Sequence, residues 1–174
     1  MYYKYIPDMY YKNIYTIDYR LLKNKDIKCI IFDLDNTLAP LNEKEPSKEV
    51  IELMKKIDRL GFKMVILSNA LKKRVQPFKE KLNIDSSFLA WKPHKNKYKK
   101  ILDLYELKPE QVACIGDQLV TDIRGANKMG MTSILTDSLT NKDHLFTYFN
   151  RFKELFIYRR FKKEKILIKG EYYE

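Results

Sequence analysis

Residues 27–38 read IKCIIFDLDNTL. The run from Ile27 to Leu34 is rich in Ile and Phe and is bounded by Asp26 and Asp35. It has the length and composition of a strand buried on both faces, the kind found inside parallel sheets. Asp33, Asp35 and Thr37 sit where such a strand runs out and the chain has to turn away from the sheet.

Outward from that stretch, short apolar runs alternate with amphipathic ones. A helix is expected from about Ser47 to Leu60, with Val50, Ile51, Met54, Ile57 and Leu60 on one face and Gly61 at its C-terminus. A strand is expected at Lys63–Ser68, then a basic helix at Lys72–Leu82 kinked by Pro77. A weaker strand is expected near Ser87–Trp91, a helix near Asn96–Tyr105, a strand at Val112–Gly116, a helix at Thr121–Met129 closed by Gly130, and a last strand at Thr132–Thr136. Strands alternating with helices predict an α/β fold, a Rossmann-like three-layer sandwich around a central, mostly parallel sheet. Crossover connections bring all strand C-termini to one edge, where ligands of open sheets bind.

The chemically capable residues fall at that edge. Asp33 and Asp35 follow the first strand, Ser68 and Asn69 the second, Lys92 the third, and Asp117 and Asp122 the fourth. Oxygen ligands from Asp33 and Asp117 suit a magnesium ion, which keeps several waters and binds phosphate. One carboxylate can attack phosphorus, and a second, two residues on, can protonate the leaving alcohol and then activate water. Ser68 and Lys92 can hold phosphoryl oxygens, the lysine as a point charge. Asp-x-Asp-x-Thr alone is a weak signal. Its position after a strand, with three further motifs in order, carries the reading.

Those four motifs, with Asp33, Ser68, Lys92 and Asp117 separated by 35, 24 and 25 residues, resemble the haloacid-dehalogenase-superfamily phosphatases, subfamily IIIA. The resemblance covers residues 27–136. More narrowly, GDQLVTD at 116–122 and PDMY at 7–10 resemble the bacterial YqeG family, which is similar to mitochondrial phosphatidylglycerophosphate phosphatases. The resemblance implies Asp33 as nucleophile and Asp35 as general acid and base, with Lys92 assisting. It implies magnesium held by Asp33, Asp117 and the backbone carbonyl of Asp35, with Asp122 as a further acidic group near the metal or Lys92. Thr37 would pin the loop, and Ser68 and Asn69 would contact phosphate. Relatives often carry a cap domain after the first motif or between the second and third. Here some ten residues separate Thr37 from the Ser47 helix, and 23 lie between Ser68 and Lys92, so a capless core is expected.

The rest of the chain bounds the reading. Its 174 residues suit one domain with short appendages. We divide it into an aromatic, basic segment at 1–26 that packs on the core, a phosphatase core at 27–140, and a basic amphipathic helix and tail at 141–174. Residues 1–8 lack the apolar stretch of a signal peptide, and no uncharged run exceeds eight residues. Cys29 and Cys114 lie in predicted strands and read as small core residues. A reducing, cytoplasmic setting is expected. His144 reads as a surface residue, His94 follows Lys92-Pro93 near the site, and Trp91 reads equally as core or as a wall beside the site.

The net charge is +11, of which residues 151–165 carry +5. That favours anionic partners, although 27 lysines against 7 arginines also fit a genome-wide codon bias. Leu145, Tyr148, Phe149, Phe152, Leu155 and Phe156 follow helical spacing, with basic residues between and beyond them. Such a helix suits peripheral contact with an anionic membrane, or else packs on the sheet with a charged outer face. The expected activity is magnesium-dependent hydrolysis of a phosphomonoester through an aspartyl-phosphate, with phosphatidylglycerophosphate or a similar lipid head-group phosphate as substrate. The alternatives are nucleic-acid ends, sugar phosphates or phosphoprotein as substrates, or a nucleic-acid- or ribosome-associated protein with incidental phosphatase activity. No aromatic RNA-binding motif, Gly-rich clamp or zinc module supports the last.

Overall fold

A computed structural model describes the chain except residues 1, 143 and 144 and, within the last helix, the side chains of residues 145 and 146. The surface assignment of His144 and the side chain of Leu145 therefore lie outside the described residues.

The strands are β1 (Met9–Tyr11), β2 (Cys29–Phe32), β3 (Lys63–Leu67), β4 (Asp85–Ser87), β5 (Val112–Gly116) and β6 (Thr132–Thr136). They form one six-stranded sheet in the order β1-β6-β5-β2-β3-β4, every pair parallel. The helices are α1 (Tyr19–Asn24), α2 (Lys48–Arg59), α3 (Lys72–Leu82), α4 (Asn96–Tyr105), α5 (Arg124–Met129) and α6 (Leu145–Lys163).

Side chains along each strand alternate between faces, and the helices divide accordingly. Ile30, Phe32, Met64, Ile66 and Ile115 pack with Leu22 of α1, Val50, Met54 and Ile57 of α2, and Val75 and Phe78 of α3. On the other face, Cys29, Ile31, Val65 and Cys114 meet Tyr98 and Ile101 of α4 and Ala126 of α5. Further along that face Tyr10 and Leu135 pack with Ile157 and Phe161 of α6. The result is the expected three-layer α/β sandwich. Both cysteines are buried, and burial pushes their thiols up, that of Cys29 to about 12.

Local chemistry sets the element ends. Ser47 caps α2 by accepting from the Val50 N–H at 3.3 Å, and Gly61 takes the left-handed φ of 83° that ends it. Four elements differ from the sequence reading. Residues 9–11 add a strand to the sheet edge, and Asp18 caps the short α1 by accepting from the Arg20 and Leu21 N–H groups. The fourth strand is Asp85–Ser87, not Ser87–Trp91: Leu89 and Trp91 have φ of 45° and 53°, which no strand allows. Helix α3 spans Lys72–Leu82 as expected, with Pro77 inside it. The segment after β5 begins as a π-helical turn at Leu119–Ile123 before α5 starts at Arg124.

Candidate active site

The turn after β2 builds the first wall. Asn36 adopts a left-handed φ of 64°, which asparagine tolerates better than most residues. The chain then curls back, with the Leu38 and Ala39 N–H groups donating to the Leu34 carbonyl at 3.0 and 3.1 Å. Asn36 Nδ2 donates to the Lys142 carbonyl at 2.8 Å, and its Oδ1 accepts from Thr140 at 2.8 Å, tying this turn to the loop beyond β6.

The turn after β5 builds the opposite wall. A Cβ at Gly116 would lie 2.3 Å from Asp122 Cγ, so only glycine lets Asp122 fold back against the strand end. The π-helical turn presents Asp122 there, and its Oδ2 accepts from the Gln118 N–H at 3.2 Å.

Between the walls, Asp33, Asp117 and Asp122 each place a carboxylate oxygen within 4.8 Å of the others, all three buried. Lys92 lies among them, its Nζ 2.5 Å from Asp33 Oδ1 and 2.5 Å from Asp122 Oδ1. The lysine is delivered by the loop after β4: its backbone N–H donates to Asn69 Oδ1 at 2.8 Å, and the Ala90 N–H donates to the Ser68 carbonyl. Thr37 Oγ1 lies 3.4 Å from Asp117 Oδ1. Ser68 is buried at the end of β3, where its Oγ accepts from the Ala70 N–H at 3.1 Å.

The electrostatics follow from burial. Loss of solvent raises the Asp33 carboxyl well above its ordinary value, Lys92 pulls it back, and the neighbouring carboxylates push it up again. Burial likewise raises Asp117, against the pull of Arg151. Burial disfavours the charge on Lys92, but Asp122 and Asp33 outweigh it and hold the ammonium above its ordinary range. Three clustered carboxylates face Lys92 and, at Asp117, Arg151, and form a pocket of hard oxygens. That donor set fits a small divalent cation.

Asp35 stands apart from the triad. Its carboxylate pairs with Arg74, Nε to Oδ1 at 2.9 Å. Arg74 also donates to the Glu43 carbonyl and, at 3.1 Å, to the Pro40 carbonyl, which anchors the loop beyond Thr37. Trp91 is 70% exposed and so is not core, and His94 is exposed.

Two arginines of this site escaped the sequence reading: Arg74, and Arg151 from α6. Arg151 donates to the Asp117 carboxylate and, at 3.0 Å, to the Asp117 carbonyl. It also pairs with Glu154 at 3.1 Å. Glu154 is buried and accepts from the Val120 N–H at 3.1 Å, so α6 grips the β5 turn at two points. In the sequence Arg151 is one of several basic residues in a patch, and nothing local marks it out. Away from the core, Tyr148, Phe149, Phe152, Leu155 and Phe156 of α6 are exposed, Phe149 by 70%. The helix therefore packs on the sheet through one stripe and still presents an aromatic one.

A family model described as mitochondrial PGP phosphatase matches residues 3–140. A Bacillus subtilis (strain 168) protein named "Probable phosphatase YqeG" is 37% identical over 147 residues, covering 84% of this chain and 86% of its own. Among solved structures, a hypothetical protein from Xanthomonas campestris aligns with a TM-score of 0.55 at 12% identity, over 79% of this chain and 77% of its own. An uncharacterized protein from Listeria monocytogenes serotype 4b aligns with a TM-score of 0.53 at 19% identity, over 68% of this chain and 85% of its own. These two share the fold.

Proposed function

The chain belongs to the mitochondrial PGP phosphatase family and is a haloacid-dehalogenase-type phosphatase of the YqeG kind, and on that premise we propose a magnesium-dependent phosphomonoester hydrolase acting on a lipid head-group phosphate, phosphatidylglycerophosphate above all.

In this reading Asp33 attacks phosphorus, the bond to the alcohol oxygen breaks, and the phosphoryl group is held as an aspartyl-phosphate. Asp35 supplies the proton that the departing alcohol takes up. It then takes a proton from the water that opens the intermediate to inorganic phosphate. Lys92, fixed between Asp33 and Asp122, faces the phosphoryl oxygens together with Ser68, while Asn69 holds the Lys92 backbone and Thr37 the Asp117 side of the turn. Asp33, Asp117 and the backbone carbonyl of Asp35, with Asp122 alongside, would hold magnesium, which when bound offsets the repulsion between carboxylate nucleophile and phosphate.

The observation that carries the lipid part is the position of α6. Arg151 joins this helix to Asp117, while Phe149, Phe152 and Phe156 face solvent from the same helix. Lys153 lies between them and Arg159 and Lys162 beyond them, so the helix offers shallow aromatic insertion and basic contact with anionic lipid beside the site. The turn after β2 and the loop after β3 carry no inserted domain, which suits a head group fixed in a bilayer. No helix among the described residues is long and apolar enough to cross a membrane, so contact would be peripheral.

The test is phosphate release from anionic vesicles containing phosphatidylglycerophosphate, compared with soluble sugar, nucleotide and nucleic-acid-end phosphates. Preferred release from the vesicles, with cosedimentation lost in a Phe149→Ser/Phe156→Ser variant, is the expected result. Efficient hydrolysis of a soluble ester by a protein that leaves the lipid intact would overturn the reading.

A further inference from the structure

A groove of about 640 Å³ opens from Asp117 along α6. One wall is a single stripe of that helix: Tyr148, then the adjacent Arg151 and Phe152, then Leu155, Arg159 and Lys162 recur at steps of three or four, so they share a face. Arg151 to Lys162 covers about 16 Å of helix, and helical side chains lean toward the N-terminus, which brings Arg159 and Lys162 back toward the Asp117 end. Leu167, Lys169 and the loop after β6 form the other wall.

The groove's charges are unequal in their commitments. Its carboxylates are already engaged: Glu154 with Arg151 and the Val120 N–H, Asp137 with the hydroxyls of Tyr10 and Tyr172. Its outer cations are not: Arg159, Lys162 and Lys169 have no carboxylate partner among the described residues. Thr136, which also lines the groove and is 3% exposed, carries a buried hydroxyl without a hydrogen-bond partner. A donor-rich channel with spare positive charge, an orphan hydroxyl and apolar stretches at Phe152, Leu155 and Leu167 is built for an anion attached to a hydrocarbon chain.

We infer that this groove is a second substrate subsite, which binds the phosphodiester adjoining the scissile phosphomonoester and the start of the acyl chain beyond it. The inference rests on the lipid-phosphate reading and adds what that reading lacks, the side chains that separate such a substrate from a simple phosphate ester. Arg159, Lys162 and Lys169 would take the diester charge, Thr136 would donate to one of its oxygens, and Phe152 and Leu155 would cover the chain.

Three soluble substrates dissect the proposal: glycerol phosphate, the deacylated diphosphate head group, and dihexanoyl phosphatidylglycerophosphate below its micelle concentration. The expected kcat/KM rises at least tenfold from the first to the second and again to the third. Arg159→Ala/Lys162→Ala is expected to reduce the first step to threefold or less, and Phe152→Ser/Leu155→Ser the second. These side chains are exposed, so folding is checked by an unchanged melting profile. A readout independent of turnover is calorimetric binding of dihexanoyl phosphatidylglycerol, which carries the diester and chains without the monoester. The Arg159→Ala/Lys162→Ala variant is expected to weaken it at least tenfold. A wild-type protein that hydrolyses the lipid, with both variants retaining its discrimination and affinity, would overturn the groove alone. A wild-type protein that hydrolyses glycerol phosphate and leaves the lipid intact would overturn the lipid reading and the groove with it.

Discussion

Arg151 and Asp117, 34 residues apart, are joined twice: one guanidinium nitrogen donates to the Asp117 carboxylate, the other to the Asp117 carbonyl at 3.0 Å. The Asp117 carboxylate is fully buried, so this arginine from α6 is its nearest compensating charge, while Lys92 serves Asp33 and Asp122. The C-terminal helix is thereby part of the carboxylate site.

Removing Arg151 takes the charged partner from buried Asp117 and from Glu154. Arg151→Ala is expected to cost about 1–3 kcal/mol of stability, since each orphaned group loses a charged partner. At about 2–4 °C per kcal/mol for a chain of this size, the melting temperature falls by several degrees. Magnesium is expected to recover part of the loss, because a cation at Asp117 replaces the missing charge. Thermal denaturation with and without magnesium checks this, and equal losses in both conditions would contradict it.

The proposed nucleophile, Asp33, is tested by substitution. Asp33→Asn is expected to lower turnover by about 10³-fold or more. The fold is expected to remain, because Lys92 keeps its partner Asp122 and the surrounding strands are apolar. Phosphate release and circular dichroism on the same preparation decide it; near-normal turnover would refute the assignment.

The three converging carboxylates fit a metal site, and the proposed metal dependence can be tested directly. Activity is expected with magnesium, to vanish with a chelator, and to return when magnesium is restored. Calcium is expected to substitute poorly, because its longer, looser coordination misplaces nucleophile and phosphate. Asp117→Ala is expected to raise the magnesium requirement at least tenfold or abolish activity. Full activity in a protein shown to be metal-free would exclude this arrangement.

Burial raises the Glu154 carboxyl from an ordinary 4.5 to about 7. Between those values the folded protein keeps a proton that the unfolded chain has released. Raising the pH through this window therefore favours unfolding. The contribution is fully present below about pH 4.5 and is lost as pH passes 7. Glu154→Gln has no such component, so its melting temperature minus that of the wild type is expected to rise across the window and level off above it. Asp33 also has a raised value, which cancels in this difference, whereas Asp117 acts on Glu154 and enters through that coupling. A pH-independent difference would argue against a protonated Glu154.

The strands β2, β3, β5 and β6 and the helices between them were legible because each announces itself locally, by an apolar run or a 3.6-residue period. The rule that parallel crossovers share one hand then puts the residues after each strand at one edge. That is why Asp33, Ser68, Lys92, Asp117 and Asp122 could be gathered from the sequence although they span ninety positions. Strand β1 was not legible: Met9–Tyr11 is three residues long without alternation, and it is pairing with Ile134, Leu135 and Thr136 that makes it a strand. Strand β4 was misplaced because the apolar Phe88-Leu89-Ala90 outweighed the polar Asp85-Ser86-Ser87, yet it is the polar residues that pair with Val65–Leu67.

Tertiary structure alone decided the role of α6. Its sequence carries apolar residues on two stripes, and helical periodicity cannot say which one meets a sheet. Packing chose Ile157 and Phe161, which left Phe149, Phe152 and Phe156 outside and turned Arg151 and Glu154 inward. The partners of Arg151, like the pairing of Arg74 with Asp35, are contacts between distant segments. Local sequence records the propensity of a segment to be a helix, but a long-range ion pair exists only once burial has removed water from both charges and fixed the distance between them.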